Sequence, residues 1–180
     1  MCIRDSIGGS QGASFFDENI TELIIEISKK RNFEVIQQIS NVNNLSSIKN
    51  KYEKSNINYK FIEFTNDSHE LYNGIDLAIT RGGASTLSEL SFLNIPFISI
   101  PLPSARDNHQ FYNSEFYYKK NCCWLINQKE FEFKKFSKMI FEIFNDYQNY
   151  NEKYKNLEEI TKKNTWNNIN NKIIEIIDEN

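Results

Sequence analysis

Residues 75–90 read IDLAITRGGASTLSEL. IDLAI is an apolar run of the kind buried in a parallel sheet, so IDLAIT (75–80) reads as a strand, and STLSELSFL (85–93) carries its apolar residues at helical spacing. Between them stand Arg81, Gly82 and Gly83. A strand that turns through paired glycines straight into a helix is one βα step of a doubly wound fold. Glycine lets backbone approach a ligand closely, and the first N–H groups of a helix favour an anion. The stretch therefore bears on fold and function together.

Working outward, the same alternation continues in both directions. FFDENITELIIEISKK (15–30) places apolar residues at 16, 20, 23, 24 and 27, which predicts a helix. FEVIQQI (33–39) reads as a strand, NLSSIKNKYEKS (44–55) as a surface helix and NYKFIEF (58–64) as a strand. DSHELYNG (67–74) reads as a short helix stopped by Gly74. Beyond the opening stretch come a strand in PFISI (96–100), a helix in 107–120 and a strand in CCWLI (122–126). From Phe131 the pattern is helical, with breaks expected near Asn149 and Asn164. The expected architecture is an α/β, Rossmann-like, doubly wound parallel sheet with C-terminal helices. Residues 7–164 would form the domain. The tail 165–180, with apolar residues at 166, 169, 173, 176 and 177, would dock on it as a helix.

The bulk numbers exclude several classes. The chain has 180 residues, enough for one domain with a core, and 39% of them are hydrophobic and 25% charged. Its 21 basic and 24 acidic residues give a net charge of −3, which argues against nucleic-acid binding driven by bulk charge. No run is long and apolar enough for a membrane span, and MCIRDS has no hydrophobic stretch of a signal peptide, so the expected compartment is the cytoplasm. Cys2, Cys122 and Cys123 form no CxxC, so neither a disulfide framework nor a zinc site is expected. Cys122 and Cys123 read as packing residues of a strand.

Five of the six glycines fall in two clusters, IGGSQGAS (7–14) and TRGGAST (80–86), each at a strand-to-helix junction. Two such loops at one crevice suit a diphosphate; the plain alternative is tight turns without a ligand. The chain has no GxxxxGK[ST], and GGSQG is not GxGxxG, so P-loop and nicotinamide readings fail. Glu89 lies four residues after Ser85 on one helix face, where a carboxylate can accept both hydroxyls of a ribose, or simply stand as a surface charge. PLPSARDNHQFYN (101–113) is a third candidate. Its Asp107, Asn108, His109 and Gln110 suit sugar hydroxyls, or else Asp107 and Gln110 make a capping box. His109 alone reads as a surface polar residue and His69 has no motif around it. The aromatics of 111–118 read as core and surface contacts.

GGSQGA, RGGASTLSEL and PLPSARDNHQFYN, in this order and at these separations, resemble the C-terminal, donor-binding half of the MurG family of GT-B glycosyltransferases. The resemblance runs over essentially the whole chain from about Ile7. It implies transfer of N-acetylglucosamine from UDP-GlcNAc to a lipid-linked muramyl-pentapeptide, with no metal or other cofactor. By position it implies donor-phosphate contacts from Ser10 in the loop Gly9, Ser10, Gln11, Gly12, and a uracil contact from the backbone at Thr65. It implies a diphosphate site at Gly83, Ala84, Ser85 and Thr86, ribose binding by Glu89, and GlcNAc contacts from His109 and Gln110, with His109 replacing a glutamine of some members. Arg81 would support the site rather than touch the ligand. The family's acceptor loop and candidate base belong to an N-terminal half that this sequence lacks, so no catalytic residue is expected here and the fragment alone should be inactive. The resemblance also implies a peripheral position on the cytoplasmic face of the bacterial inner membrane, with membrane contact made through that other half. Residues 1–6, with Arg4, Asp5 and Ser6 where an apolar strand belongs, are expected to be a non-native or truncated junction that weakens the first strand. Two alternatives stand beside this reading. One is a donor-binding subunit of a split transferase with a separate membrane partner. The other is a fragment of a GT-B-fold UDP-GlcNAc epimerase.

Overall fold

A computed structural model of the chain describes residues 2–6, 15–39, 42–62 and 72–164, and in the tail 168, 170–171 and 174–175. Six parallel strands are described: β1 (Cys2–Ser6), β2 (Glu34–Gln38), β3 (Asn58–Ile62), β4 (Leu77–Thr80), β5 (Phe97–Ser99) and β6 (Cys123–Leu125). They form one sheet in the order β3-β2-β1-β4-β5-β6. The order reverses between β1 and β4, which opens a crevice at the carboxyl ends of those two strands. β1 pairs with both β2 and β4, so the backbone of residues 2–6 is a full central strand.

The helices cover both faces of the sheet, as buried parallel strands require. The first helix starts with π-type turns over Phe16–Ile20 and continues as α1 (Thr21–Ser28). Phe16, Ile20, Leu23, Ile24 and Ile27, the residues picked out by helical spacing, are all fully buried. α2 (Val42–Lys54) follows β2. It is less of a surface helix than its polar composition suggests, because Ile48 and Tyr52, one turn apart, are buried in the same core. The Tyr52 hydroxyl donates to Gln37 Oε1 at 2.6 Å, which satisfies both buried polar groups.

α3 (Ala84–Phe92) and α4 (His109–Lys119) follow β4 and β5. Leu87 and Leu90 of α3 join Ala78, Phe97, Cys122 and Cys123 in a second core, with Tyr117 of α4 packed against it. α5 (Phe133–Asn145) and α6 (Tyr147–Lys163) complete the chain's described helices of eight residues or more. The break between them falls at Asp146, not at Asn149. Asp146 leaves the helical region at φ −100°, ψ 79°, and its carboxylate accepts the Asn149 N–H at 3.0 Å. A residue expected to break the helix thus supplies the donor that starts it. The helix ends with Asn164 as its C-cap, at the second expected break.

Gly74 has φ +74°, in keeping with its reading as a helix stop, while the helix expected before it and the end of the third strand lie mostly outside the described residues. The tail residues expected to dock, at 166, 169, 173, 176 and 177, also lie outside them. Among the described residues no helix is long and apolar enough to cross a membrane.

Candidate functional site

The register brings to one level the ends of the three strands that precede the candidate loops. Ser6 of β1 pairs with Thr80 of β4, and Thr80 pairs with Ser99 of β5. Thr80 and Ser99 are followed by RGGAST and by PLPSARDNHQ; Ser6 is followed by IGGSQGAS. All three stretches therefore leave adjacent strands at one level of the carboxyl edge. Gly9, Ser10, Gln11, Gly12 and Thr65 themselves lie outside the described residues.

The start of α3 is open. Gly83 is its N-cap at φ −68°, ψ 129°, and, having no side chain, supplies no cap to the helix's first N–H groups. The first amide returned to the helix ladder is that of Leu87, which donates to the Gly83 carbonyl at 3.0 Å. The N–H groups of Ala84, Ser85 and Thr86 precede it, so they carry the positive end of the helix dipole without an intrahelical acceptor. Ala84 and Ser85 are exposed and Thr86 is half-buried.

The two glycines of this turn have different reasons. A Cβ on Gly82 would stand 2.1 Å from the Gln110 carbonyl oxygen and 2.6 Å from Ser114 Oγ, so only glycine lets α4 come this close. A Cβ on Gly83 would meet only Thr86 Oγ1 at 3.8 Å, and its φ is ordinary. Among the described residues, its chain neighbours aside, no other atom is found within 4 Å of that position.

Glu89 lies on the exposed side of α3, about one turn below Ser85. Its carboxylate is held in place: the hydroxyl of the buried Tyr72 donates to Glu89 Oε2 at 2.6 Å. That leaves Oε1, and a second lone pair on Oε2, to accept further donors. Sequence reading did not single out Tyr72, since a tyrosine in a short polar helix carries no motif.

Arg81 faces the core rather than the crevice. It is buried, its guanidinium lies over the rings of Phe16 at 4.5 Å and Phe15 at 5.4 Å, and Nη1 donates to the Ile100 carbonyl at 3.0 Å and to Gln128 Oε1. Arginine suits this position because its flat cation stacks on aromatic faces while keeping its donors in plane. This geometry ties β4 to the loop after β5 and to the turn at 128–130.

The capping box expected of Asp107 and Gln110 does not form. Asp107 and Asn108 both sit in the left-handed region, at φ 53°, and Asn108, as N-cap of α4, makes no side-chain cap. Gln110 Oε1 instead accepts the Leu102 N–H at 3.0 Å, bracing the proline loop and leaving the amide NH2 as a donor. His109 is exposed, with Nδ1 2.7 Å from the Arg106 carbonyl. Cys122 and Cys123 are buried free thiols, as their packing role requires; burial pushes them up to about 11 and about 12. Of the aromatics in 111–118, Tyr117 packs on Phe97, while Tyr112, Phe116 and Tyr118 are exposed.

The sequence profile of the glycosyltransferase family 28 C-terminal domain matches residues 6–171. The chain belongs to this family. Among curated relatives of this glycosyltransferase family 28 domain, a Pelagibacter ubique protein is 44% identical over 174 residues, covering 97% of this chain and 49% of that protein. A Rickettsia bellii protein is 40% identical over 141 residues, covering 77% of this chain and 40% of that one. Both are named UDP-N-acetylglucosamine–N-acetylmuramyl-(pentapeptide) pyrophosphoryl-undecaprenol N-acetylglucosamine transferase. The chain thus spans half or less of the length of these relatives. Among solved structures, Acinetobacter baumannii MurG superposes with a TM-score of 0.74 at 21% identity, over 87% of this chain and 44% of that one. Phytolacca americana UGT2, complexed with UDP-2fluoro-glucose and pterostilbene, gives 0.68 at 16% identity, over 99% and 41%. Both likenesses concern the fold, the Rossmann-like half of a GT-B glycosyltransferase.

Proposed function

We propose that this domain is the donor-binding half of an inverting glycosyltransferase that moves N-acetylglucosamine from UDP-GlcNAc to a lipid-linked muramyl-pentapeptide. The observation that carries the reading is the common level at which the three loops leave β1, β4 and β5, with an uncapped helix start beside them. The donor's diphosphate would sit over Gly83, on the N–H groups of Ala84, Ser85 and Thr86, with Ser10 and the loop Gly9–Gly12 closing from the β1 side. Its ribose would hang its two hydroxyls on Glu89, its uracil would meet the backbone at Thr65, and its sugar would meet His109 and the free NH2 of Gln110. Arg81 serves the site through the fold, from beneath.

In the reaction an acceptor hydroxyl attacks the anomeric carbon, the bond to the diphosphate oxygen breaks, and UDP leaves. Charge grows on the leaving diphosphate, where fixed helix N–H groups stabilise it without reorganising. The base that takes the acceptor proton would come from the other half of the enzyme, at the cytoplasmic face of the membrane. The names of the curated relatives support the substrate pair.

Calorimetric titration of the purified chain with UDP-GlcNAc, UDP and UDP-glucose tests the reading. Saturable binding that prefers UDP-GlcNAc and is lost in Glu89→Ala is the expected result. A folded sample that binds no uridine nucleotide overturns it. Transfer of GlcNAc to the lipid acceptor by this chain alone would overturn the assignment of the base to the other half.

A further inference from the structure

We propose that Asn113 is a positioning residue that clamps the start of α3 to the first turn of α4, so that the phosphate and sugar parts of the candidate site are held as one unit. This inference rests on the donor reading above for its ligand, though not for its geometry.

Asn113 Nδ2 donates to the Gly82 carbonyl at 3.0 Å, across 31 residues of sequence. Gly82 lies so close to α4 that no side chain fits between its Cα and the Gln110 carbonyl. The Gln110 carbonyl accepts Ser114 Oγ at 2.8 Å, and Ser114 Oγ is 2.6 Å from Ser99 Oγ on β5. Gln110 Oε1 holds the Leu102 N–H. One turn of α4 thus grips the loop after β4, the end of β5 and the loop after β5. Within this grip, Asn113 supplies the side-chain hydrogen bond to the backbone immediately before the N-cap Gly83. Rotation of the Gly82–Gly83 peptide would re-aim the N–H groups that follow it, and this hydrogen bond opposes that rotation.

Asn113 is half-buried, so its variants should fold. Asn113→Ala removes the donor; Asn113→Asp keeps the shape and places an acceptor against the Gly82 carbonyl. Both should weaken UDP and UDP-GlcNAc by the same factor, about 3–10-fold, the range of one neutral hydrogen bond. Binding of uridine, which has no phosphate, followed by NMR titration, should not change. Loss for UDP-GlcNAc alone would make Asn113 a sugar contact and overturn the proposal. Equal loss for uridine would show general loosening and also overturn it. A ligand-free readout keeps the two readings apart. Amide hydrogen exchange at Leu87, whose N–H closes on the Gly83 carbonyl, should speed up in both variants, while that of Ala78, bonded to the Pro96 carbonyl at 3.1 Å, stays as it was. Unchanged exchange at Leu87 overturns the clamp whatever the ligand. If the unaltered chain binds no uridine nucleotide, the donor reading falls and the exchange comparison alone decides the clamp.

Discussion

Gly82 and Gly83 are neighbours of identical chemistry, yet alanine at each should give opposite results. In Gly82→Ala the new methyl carbon would lie 2.1 Å from the Gln110 carbonyl oxygen and 2.7 Å from its carbon. Both are backbone atoms inside a helix, so no side-chain rotation relieves the contact and α4 must move. Overpacking of this kind costs about 1–3 kcal/mol, and a backbone obstacle places the site at the upper end, about 2–3 kcal/mol. For a chain of this size that corresponds to a fall in Tm of about 4–12 °C. In Gly83→Ala the methyl meets one oxygen at 3.8 Å and φ stays at −68°. The lower entropy of the unfolded chain then contributes about 0.4–1 kcal/mol, offset by a similar loss because alanine is a poor N-cap. Stability should therefore hardly change, while UDP binding weakens because the methyl enters the space given to the diphosphate. Urea unfolding followed by circular dichroism measures the first quantity and calorimetry the second. Equal unfolding midpoints for Gly82→Ala and the unaltered chain would refute the steric argument. Undiminished UDP affinity in Gly83→Ala would refute the placement of the diphosphate.

Arg81→Ala should destabilise the fold by about 2–5 kcal/mol, from the emptied volume between Phe15 and Phe16 and the lost bond to the Ile100 carbonyl. The folded protein's affinity for UDP should stay unchanged; loss of affinity without loss of stability would make the residue a ligand. Glu89→Gln should weaken UDP by at least about tenfold, since bonds to a charged acceptor contribute about 1.5–3 kcal/mol. Tyr72→Phe, which frees the carboxylate, should weaken it about 2–10-fold, and both effects should vanish with a uridine nucleotide lacking its ribose hydroxyls. The peptide carrying Cys122 and Cys123 should escape maleimide in the native chain and react in urea, because both thiols are buried. With folded values near 11 and 12 against an ordinary 9.0, the unfolded chain loses these protons first. Their contribution to stability is intact below pH 9 and is lost as pH rises through the folded values. Tyr150, pushed up to about 12 by burial and by Asp76, adds to this loss, and Lys153, lowered by burial, opposes it. Urea midpoints that do not decline with alkaline pH would contradict the net sign.

The fold was legible because a parallel sheet buried on both faces writes itself as short apolar runs, and β4 is buried at all four positions. What sequence missed were places where one pattern serves two geometries. Asp107 and Gln110 match a capping box, but Asp and Asn also tolerate the left-handed region, and the bond to Leu102 takes Gln110 elsewhere. Asp146 and Asn149 are both poor helix formers; only the side-chain bond between them shows which residue is the cap. In α2, two buried residues one turn apart are masked by polar neighbours. At the site, residue types suggested Glu89 and the helix start, but not Tyr72 or Asn113, because each acts through a partner distant in sequence. Nor does sequence distinguish a glycine that packs against backbone, Gly82, from one with room for a methyl group, Gly83.

The kink at Asp146 has a mechanical consequence. α5 places Phe136, Ile140 and Ile143 in the core shared with α1, on one side of the sheet, and α6 places Leu157 in the core shared with α3, on the other. The chain after β6 therefore wraps the sheet like a clasp, with its bend at the edge. Neither layer can peel away while the clasp is shut, and opening it exposes both at once. Melting of the two layers should be a single event, and a chain cut after β6 would lose the seam that makes it so.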